Sequence, residues 1–357
     1  MKNSILDLSS EKLTEYLAAA GEPAFRSKQI FESIYAQNKT SFDDFSTLPK
    51  KIRSQLDQDF SLRTLKKIDE IVSPVDNTRK FLWQLGDGYK IESVVIYEKP
   101  RITFCISSQV GCALDCKFCA TGKMGILRNL TPGEIVEQVL QMQDLIDAKV
   151  TNVVFMGMGE PMLNYESVIR AAEILSHPRG FGLGARRITI STSGIIPGIK
   201  RFTEEKQPFS LAISLNSTED EIREKIMPIS RKYPIEELLE AARIYSENMR
   251  RIITFEYVLI DKINSSIANA KQLVQLTHRI PCKINVIPCN STDPEYSPPS
   301  RETVREFENY VNNRSRRITL RKRKGWEIQA ACGQLYAENE KKKRKNKNIT
   351  EQDNLIR

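Results

Sequence analysis

Apolar and polar positions divide the chain into three regimes. Between residues 9 and 60 the spacing is helical: SSEKLTEYLAAAG closes at a C-capping Gly21, and PAFRSKQIFESIYAQ spaces Phe25, Ile30, Phe31 and Ile34 as one apolar face. From 78 to 109 the pattern alternates. KFLWQL, then Gly86-Asp87-Gly88, then YKIESVVIY read as a β-hairpin that leads into another strand, TFCISSQ. Beyond Cys119 strand and helix patterns take turns: VVFMG, RITIS, SLAIS, TFEYVLI, KINVIP and RITL are separated by segments such as PGEIVEQVLQMQDLIDA and SIANAKQLVQLTH. Such a βα repeat predicts an α/β fold with a parallel sheet. Six units instead of eight predict an open, partial (βα)6 barrel, wide enough for a large substrate. The domains expected are a helical unit at 1–65, a β-extension at 66–100, the barrel at 101–335 and a basic disordered tail at 336–357.

Composition narrows the class. The 357 residues carry a formal charge of +9, but six positive charges sit on Lys341, Lys342, Lys343, Arg344, Lys345 and Lys347, so much of the basicity belongs to the tail. A second basic run, Arg314, Arg316, Arg317, Arg321, Lys322, Arg323 and Lys324, has no acid between 314 and 324 and can neutralise phosphates. No apolar stretch approaches the roughly 20 residues of a membrane span. Asp7 interrupts any signal core, so a cytoplasmic protein is expected. Seven cysteines are odd in number and sparse, which argues against a disulfide scaffold and for thiols with a chemical task. Only His177 and His278 are present, which disfavours His-based metal sites and Ser-His-Asp chemistry.

The candidate chemistry centres on Cys112, Cys116 and Cys119, spaced C-x3-C-x2-C within GCALDCKFCATGKMG. Loop-borne thiolates at this spacing suit an iron–sulfur core, and Gly111, Gly122 and Gly125 let the loop wrap it. Three ligands on a four-iron cluster leave one iron open for chemistry. The competing reading, a zinc knuckle in a non-catalytic RNA-binding protein, needs a fourth ligand, and the local sequence has no histidine.

This window, with Phe118 just before the last cysteine, resembles the radical S-adenosylmethionine (SAM) superfamily; so does FMGMGEP at 155–161, a Gly-rich loop with an acid one βα unit later. More specifically, AFRSKQIF, IESVVI, FCISSQVGCALDCKFCATGKMG, GMGEP, ISTSGIIP, SLAISLNS, INVIPCN and AACGQL resemble the RlmN-type RNA adenine-C2 methyltransferases, whose close relatives are the Cfr-type C8 enzymes. The resemblance implies a [4Fe-4S] cluster on the three cysteines, and a SAM site formed by Gly159, Glu160, Ser191, Ser214, Leu215, Asn216 and Asn290. It implies two SAM molecules per turnover: one methylates Cys332, the other yields a 5′-deoxyadenosyl radical that activates that methyl for addition to adenine C2. Cys105 then resolves the adduct through a disulfide, and Glu92 accepts the proton. The implied partners are 23S rRNA, tRNA and a flavodoxin- or ferredoxin-type reductant of a monomeric enzyme. A thiol carrier makes chemical sense because C2 is a poor nucleophile toward SAM whereas a thiolate is a good one. Two departures or gaps accompany this. Gly325-Trp326-Glu327-Ile328-Gln329 stands where the family has acids before AACGQL, and Cys282 and Cys289 match no role and read as packing residues. C8 methylation remains the alternative within the class.

Overall fold

The computed structural model describes residues 2–291, 293–312, 317–321 and 324–338. Its frame is a ten-stranded sheet. Three antiparallel strands, β1 (Lys66–Val72), β2 (Arg79–Gln84) and β3 (Lys90–Glu98), lead into β4 (Arg101–Cys105). From β4 the wall is parallel through β5 (Asn152–Phe155), β6 (Ile188–Thr192), β7 (Ser210–Ser214), β8 (Ile253–Leu259), β9 (Cys282–Pro288) and β10 (Arg317–Leu320). Consecutive strands are spatial neighbours, as in a barrel wall, and β10 and β1 are the two ends, so the wall is open. The six strand–helix units expected are present, but they start at β4, ahead of the cysteines, and β10 adds a final strand. The sequence pattern missed β1: KKIDEIV lies on the outer edge with most side chains in solvent, so no apolar face marks it.

Local chemistry starts the helices where the pattern placed them. The first helix of the barrel, Pro132–Asp144, opens with a capping box between Thr131 and Glu134 and has Pro at its first turn. The N-terminal helices are Ser10–Ala19, capped by Ser9, then Phe25–Phe31 and Lys50–Asp59. The expected apolar face is corrected at one position. Ile30 and Ile34 are buried, but Phe25 is 51% exposed. At 100° per residue Phe25 sits about 140° from Ile30, so it faces solvent, with Arg26 against its ring.

The seam between the N-terminal helices and the barrel is polar. Asp7 accepts the Gly133 N–H at the start of helix Pro132–Asp144 (2.9 Å). One turn on, the fully buried Glu137 accepts from Thr64 N–H (2.7 Å), Thr64 Oγ1 (2.7 Å), Leu65 N–H (2.9 Å) and Gln141 Nε2 (2.8 Å). Removing that carboxylate strands buried donors. A Glu137→Ala protein is expected to lose roughly 2–4 kcal/mol in urea unfolding, a loss that Glu137→Gln halves at most. An unchanged midpoint for Glu137→Ala would contradict this.

A second buried network fixes the extension to the barrel. Gln138 Oε1 accepts from Ser93 Oγ (2.6 Å) and Ser107 N–H (2.9 Å), while Ser107 Oγ donates to the Glu92 carbonyl (2.6 Å). Trp83 and Phe81 stack behind it at 5.4 Å, both fully buried. At the other end, residues 336–338, expected in the tail, are tied to the fold: Tyr336 N–H bonds Glu92 and Ala337 is buried. Residues 339–357, the rest of that expected tail, lie outside the described residues. Among the described residues no helix is long and apolar enough to cross a membrane.

Candidate active site

The loops at the carboxyl ends of the parallel strands converge on a cavity of about 150 Å³. The loop after β4 carries the three cysteines. Its stem is a two-stranded ribbon, Gln109–Gly111 against Ile126–Asn129, and a Cβ on Gly111 would lie 1.9 Å from the Gly125 carbonyl oxygen. Gly122 is equally constrained, since its Cβ would meet the Cys116 backbone at 2.9 Å. Glycine here permits the close wrap expected of a ligating loop.

Cys116 and Cys119 line the cavity with Phe118, and Cys112 lies close enough to both for their charges to interact. Burial pushes the Cys112 thiol up to about 12 and Cys116 well above the ordinary thiol value; Glu160 and Cys119 raise Cys112 further, and Cys119, Cys112 and Glu160 raise Cys116. Cys119 is also raised by burial, partly offset by backbone N–H groups at Gly122 and Thr121. Three thiols, one buried and two half-buried, that resist ionisation together are a donor set suited to a multiply charged inorganic core, which ionises its ligands on binding. No three His, Cys, Asp or Glu side chains among the described residues converge on one metal ion. A cluster does not require that, because each thiolate holds a different iron.

The other expected residues divide into three groups. Gly159, Glu160, Ser191, Ser214, Asn290 and Cys332 line the cavity. Glu160 is held from both sides: its carboxylate accepts from Met162 N–H (3.0 Å) and Ser193 N–H (2.8 Å), and its own N–H donates to Gln109 Oε1 (2.8 Å). Burial raises its pKa and those N–H bonds pull it back. Asn216 also borders the cavity but is in the left-handed region (φ 57°), and its side chain accepts the Val258 N–H (2.9 Å), clamping β7 to β8. Leu215 is fully buried and offers backbone only.

Cys105 and Glu92 stand outside the cavity lining. Cys105 is buried beside Cys332; burial first, then Cys332, pushes its thiol up to about 12, and Arg321 draws it down. Val94 on β3 pairs with Cys105, so Glu92, two residues away, points to the same sheet face. Both cysteines are free thiols in the structure.

Several residues at the site were not anticipated. Arg223, fully buried, donates to the carbonyls of Ser193 (2.8 Å), Ser214 (3.1 Å) and Leu215 (2.8 Å), joining two rim loops. Glu256 on β8 lines the cavity and accepts from Asn285 Nδ2 (2.7 Å). An acid inside the otherwise apolar TFEYVLI was the available signal. Arg321 corrects the reading of the basic run: it lines the cavity between Glu256 and the thiols of Cys332 and Cys105, turned from any phosphate surface. Lys324 likewise faces Asp76 (3.8 Å). Arg314, Arg316, Lys322 and Arg323 lie outside the described residues. Cys282 and Cys289 are buried, and His177 and His278 are exposed. A larger cavity, about 460 Å³, opens between the N-terminal helices and helix Tyr165–Ser176, and no cysteine lines it.

The profile of the radical SAM superfamily matches residues 106–273, the stretch that contains the cysteine loop, and that of the ribosomal RNA large subunit methyltransferase N-terminal domain matches 3–62. The probable dual-specificity RNA methyltransferase RlmN of Thermotoga maritima is 44% identical over 335 residues, covering 94% of this chain and 97% of that protein. The chain belongs to the RlmN family. The dual-specificity RNA methyltransferase RlmN of Syntrophobacter fumaroxidans is 42% identical, covering 94% of this chain and 98% of its own length. A radical SAM methyltransferase from Sphaerobacter thermophilus superposes with a TM-score of 0.90 at 42% identity, covering 94% of this chain and all of that one. The RlmN family and this solved structure therefore account for both the N-terminal helices and the open barrel.

Proposed function

We propose that the protein methylates C2 of an adenine in 23S rRNA and in tRNA, with Cys332 as methyl carrier, Cys105 as resolving thiol and Glu92 as proton acceptor. Membership of the RlmN family makes it a SAM-dependent RNA methyltransferase that uses a four-iron cluster. The observation carrying the finer reading is that Cys332, distant in sequence, lines the same cavity as Cys116 and Cys119, with Cys105 buried behind it.

Cys112, Cys116 and Cys119 would hold the cluster, and Glu160, Ser191, Ser214 and Asn290, with backbone at Gly159, Leu215 and Asn216, would hold SAM. When bound, these groups supply the methyl group, the radical that removes a hydrogen atom from it, and the acceptor for one electron. The chain's residues do the rest. Cys332 takes the methyl as a thiolate nucleophile and presents its carbon to C2. The C2 proton passes to the Glu92 carboxylate, leaving a thioether between Cys332 and the base. Cys105 thiolate then attacks Cys332 Sγ; the S–S bond forms as the S–C bond breaks, and the carbon takes up a proton to become the methyl. A reductant of the flavodoxin or ferredoxin class feeds the cluster of a monomeric, cytoplasmic enzyme.

The test is mass spectrometry of nucleosides from both RNAs after incubation with reconstituted enzyme. 2-Methyladenosine is the expected product, and 8-methyladenosine in its place would overturn the C2 assignment. A narrower prediction concerns Glu160: Glu160→Gln keeps an accepting oxygen for only one of the Met162 and Ser193 N–H groups and loses the charge that would face the SAM ammonium. SAM affinity by calorimetry should fall about 10- to 100-fold, consistent with about 1.5–3 kcal/mol for a charged hydrogen bond.

A further inference from the structure

The antiparallel extension is tied at several points to the segment that carries Cys332. Asp76 accepts from Gly325 N–H (3.1 Å), Ser73 bonds Glu327, and Glu92 Oε2 accepts from Tyr336 N–H (2.8 Å). Between these lies Lys80. Its Nζ stands 3.1 Å from Glu92 Oε1 and 3.4 Å from the Gln329 carbonyl, three residues before Cys332. The sheet register explains the placement. Lys80 pairs with Val94 and Leu82 pairs with Glu92, so Lys80 and Glu92 are diagonal neighbours on one face, while Phe81 and Trp83 point into the core behind. The Lys80 side chain is only 11% exposed, and that of Glu92 6%. A pair this enclosed is screened little by solvent.

We propose that Lys80 is a positioning residue for methyl transfer, holding the Glu92 carboxylate ionised and in place while tethering it to the backbone that enters the Cys332 turn. This rests on Glu92 being the proton acceptor. The groups facing Glu92 from each element are few. β2 contributes Lys80, the C-terminal segment contributes the Tyr336 N–H, and from the loop after β5 the Met158 sulfur accepts the Glu92 N–H; among the described residues Lys80 is the charge that bears on it. Burial drives the carboxyl above its ordinary value, and Lys80 first, then Tyr336 N–H, pull it back. A buried acid left without its cation holds its proton to higher pH, and while protonated it cannot accept another. Lysine supplies the charge on a stem long enough to reach both Glu92 and the Gln329 carbonyl.

The test isolates the proton step. In a Cys105→Ala background, with Cys332 already methylated and checked by mass, formation of the RNA thioether adduct is followed against pH in reconstituted enzyme. The adduct rate should rise with pH through an inflection belonging to Glu92. Adding Lys80→Met should move that inflection to higher pH, slow adduct formation about tenfold at pH 7 and restore it toward the parent rate at pH 9. Lys80→Arg should return the inflection to the parent value, which a merely structural role for the side chain does not require. Thermal melts of the variants check that the fold is kept. An unchanged inflection in Lys80→Met, with Glu92→Gln inactive, overturns the role of Lys80 and leaves Glu92 as the base. Full adduct formation by Glu92→Gln removes the base assignment itself, and the proposal with it.

Discussion

A Cys332→Ala protein is expected to form no 2-methyladenosine above background, a fall of at least about 10⁴-fold, because it removes the nucleophile that carries the transferred carbon. Weaker effects follow if Cys332 only shapes the cavity. Its side chain lines a wall shared with Cys119 and Arg321, and a small-to-smaller change there costs little packing. Iron content and SAM affinity should therefore stay near the parent values while product vanishes. That combination separates a carrier from a scaffold residue. The measurement is nucleoside mass spectrometry alongside iron analysis and calorimetry on the same preparation. Product formed at a tenth of the parent rate or more would refute the carrier role.

How much of this could be read without coordinates depended on whether a residue's task is local. The cysteine loop was legible because a cluster-binding role would impose a short spacing within one loop, and Gly111 and Gly122 mark its tight places. Strands β2 to β10 were legible because each has an apolar face or is apolar throughout, while β1 has neither. Glu256, Arg223 and Lys80 were not, since each acquires its role from the register of neighbouring strands or from loops that meet only in the folded barrel. Lys80 looks like an ordinary polar position in KFLWQL until β3 places Glu92 beside it. Arg321 misled for the same reason: a run of cations reads as a phosphate surface, yet the residue following β10 turns inward at the barrel rim. The departure at 325–329 is explained in part. Glu327 and Gln329 use their side chain and carbonyl to bind the extension at Ser73 and Lys80, while Trp326 remains 49% exposed.

Replacing Cys105 by alanine should stop turnover in a different way, with the RNA retained on the protein. The thioether between Cys332 and the base is stable until a thiolate attacks its sulfur, and among the described residues Cys105 is the free thiol beside Cys332 that is not a candidate cluster ligand. A denaturing gel of Cys105→Ala after incubation should show a shifted species approaching one RNA per protein, with released 2-methyladenosine reduced at least about 10³-fold. The parent enzyme adds a pH signature. Burial holds the Cys105 thiol above its ordinary value, and Cys332 as a neutral thioether adds no charge against it, so below that raised value the thiolate is the minor form and its fraction grows about tenfold per unit. Resolution of a preformed adduct should accordingly accelerate by nearly that factor per unit between pH 7 and 9. Arg321 draws the thiol down, so Arg321→Leu should slow resolution at every pH in that range without removing the slope. A flat profile in the parent would mean that something other than this thiolate frees the product.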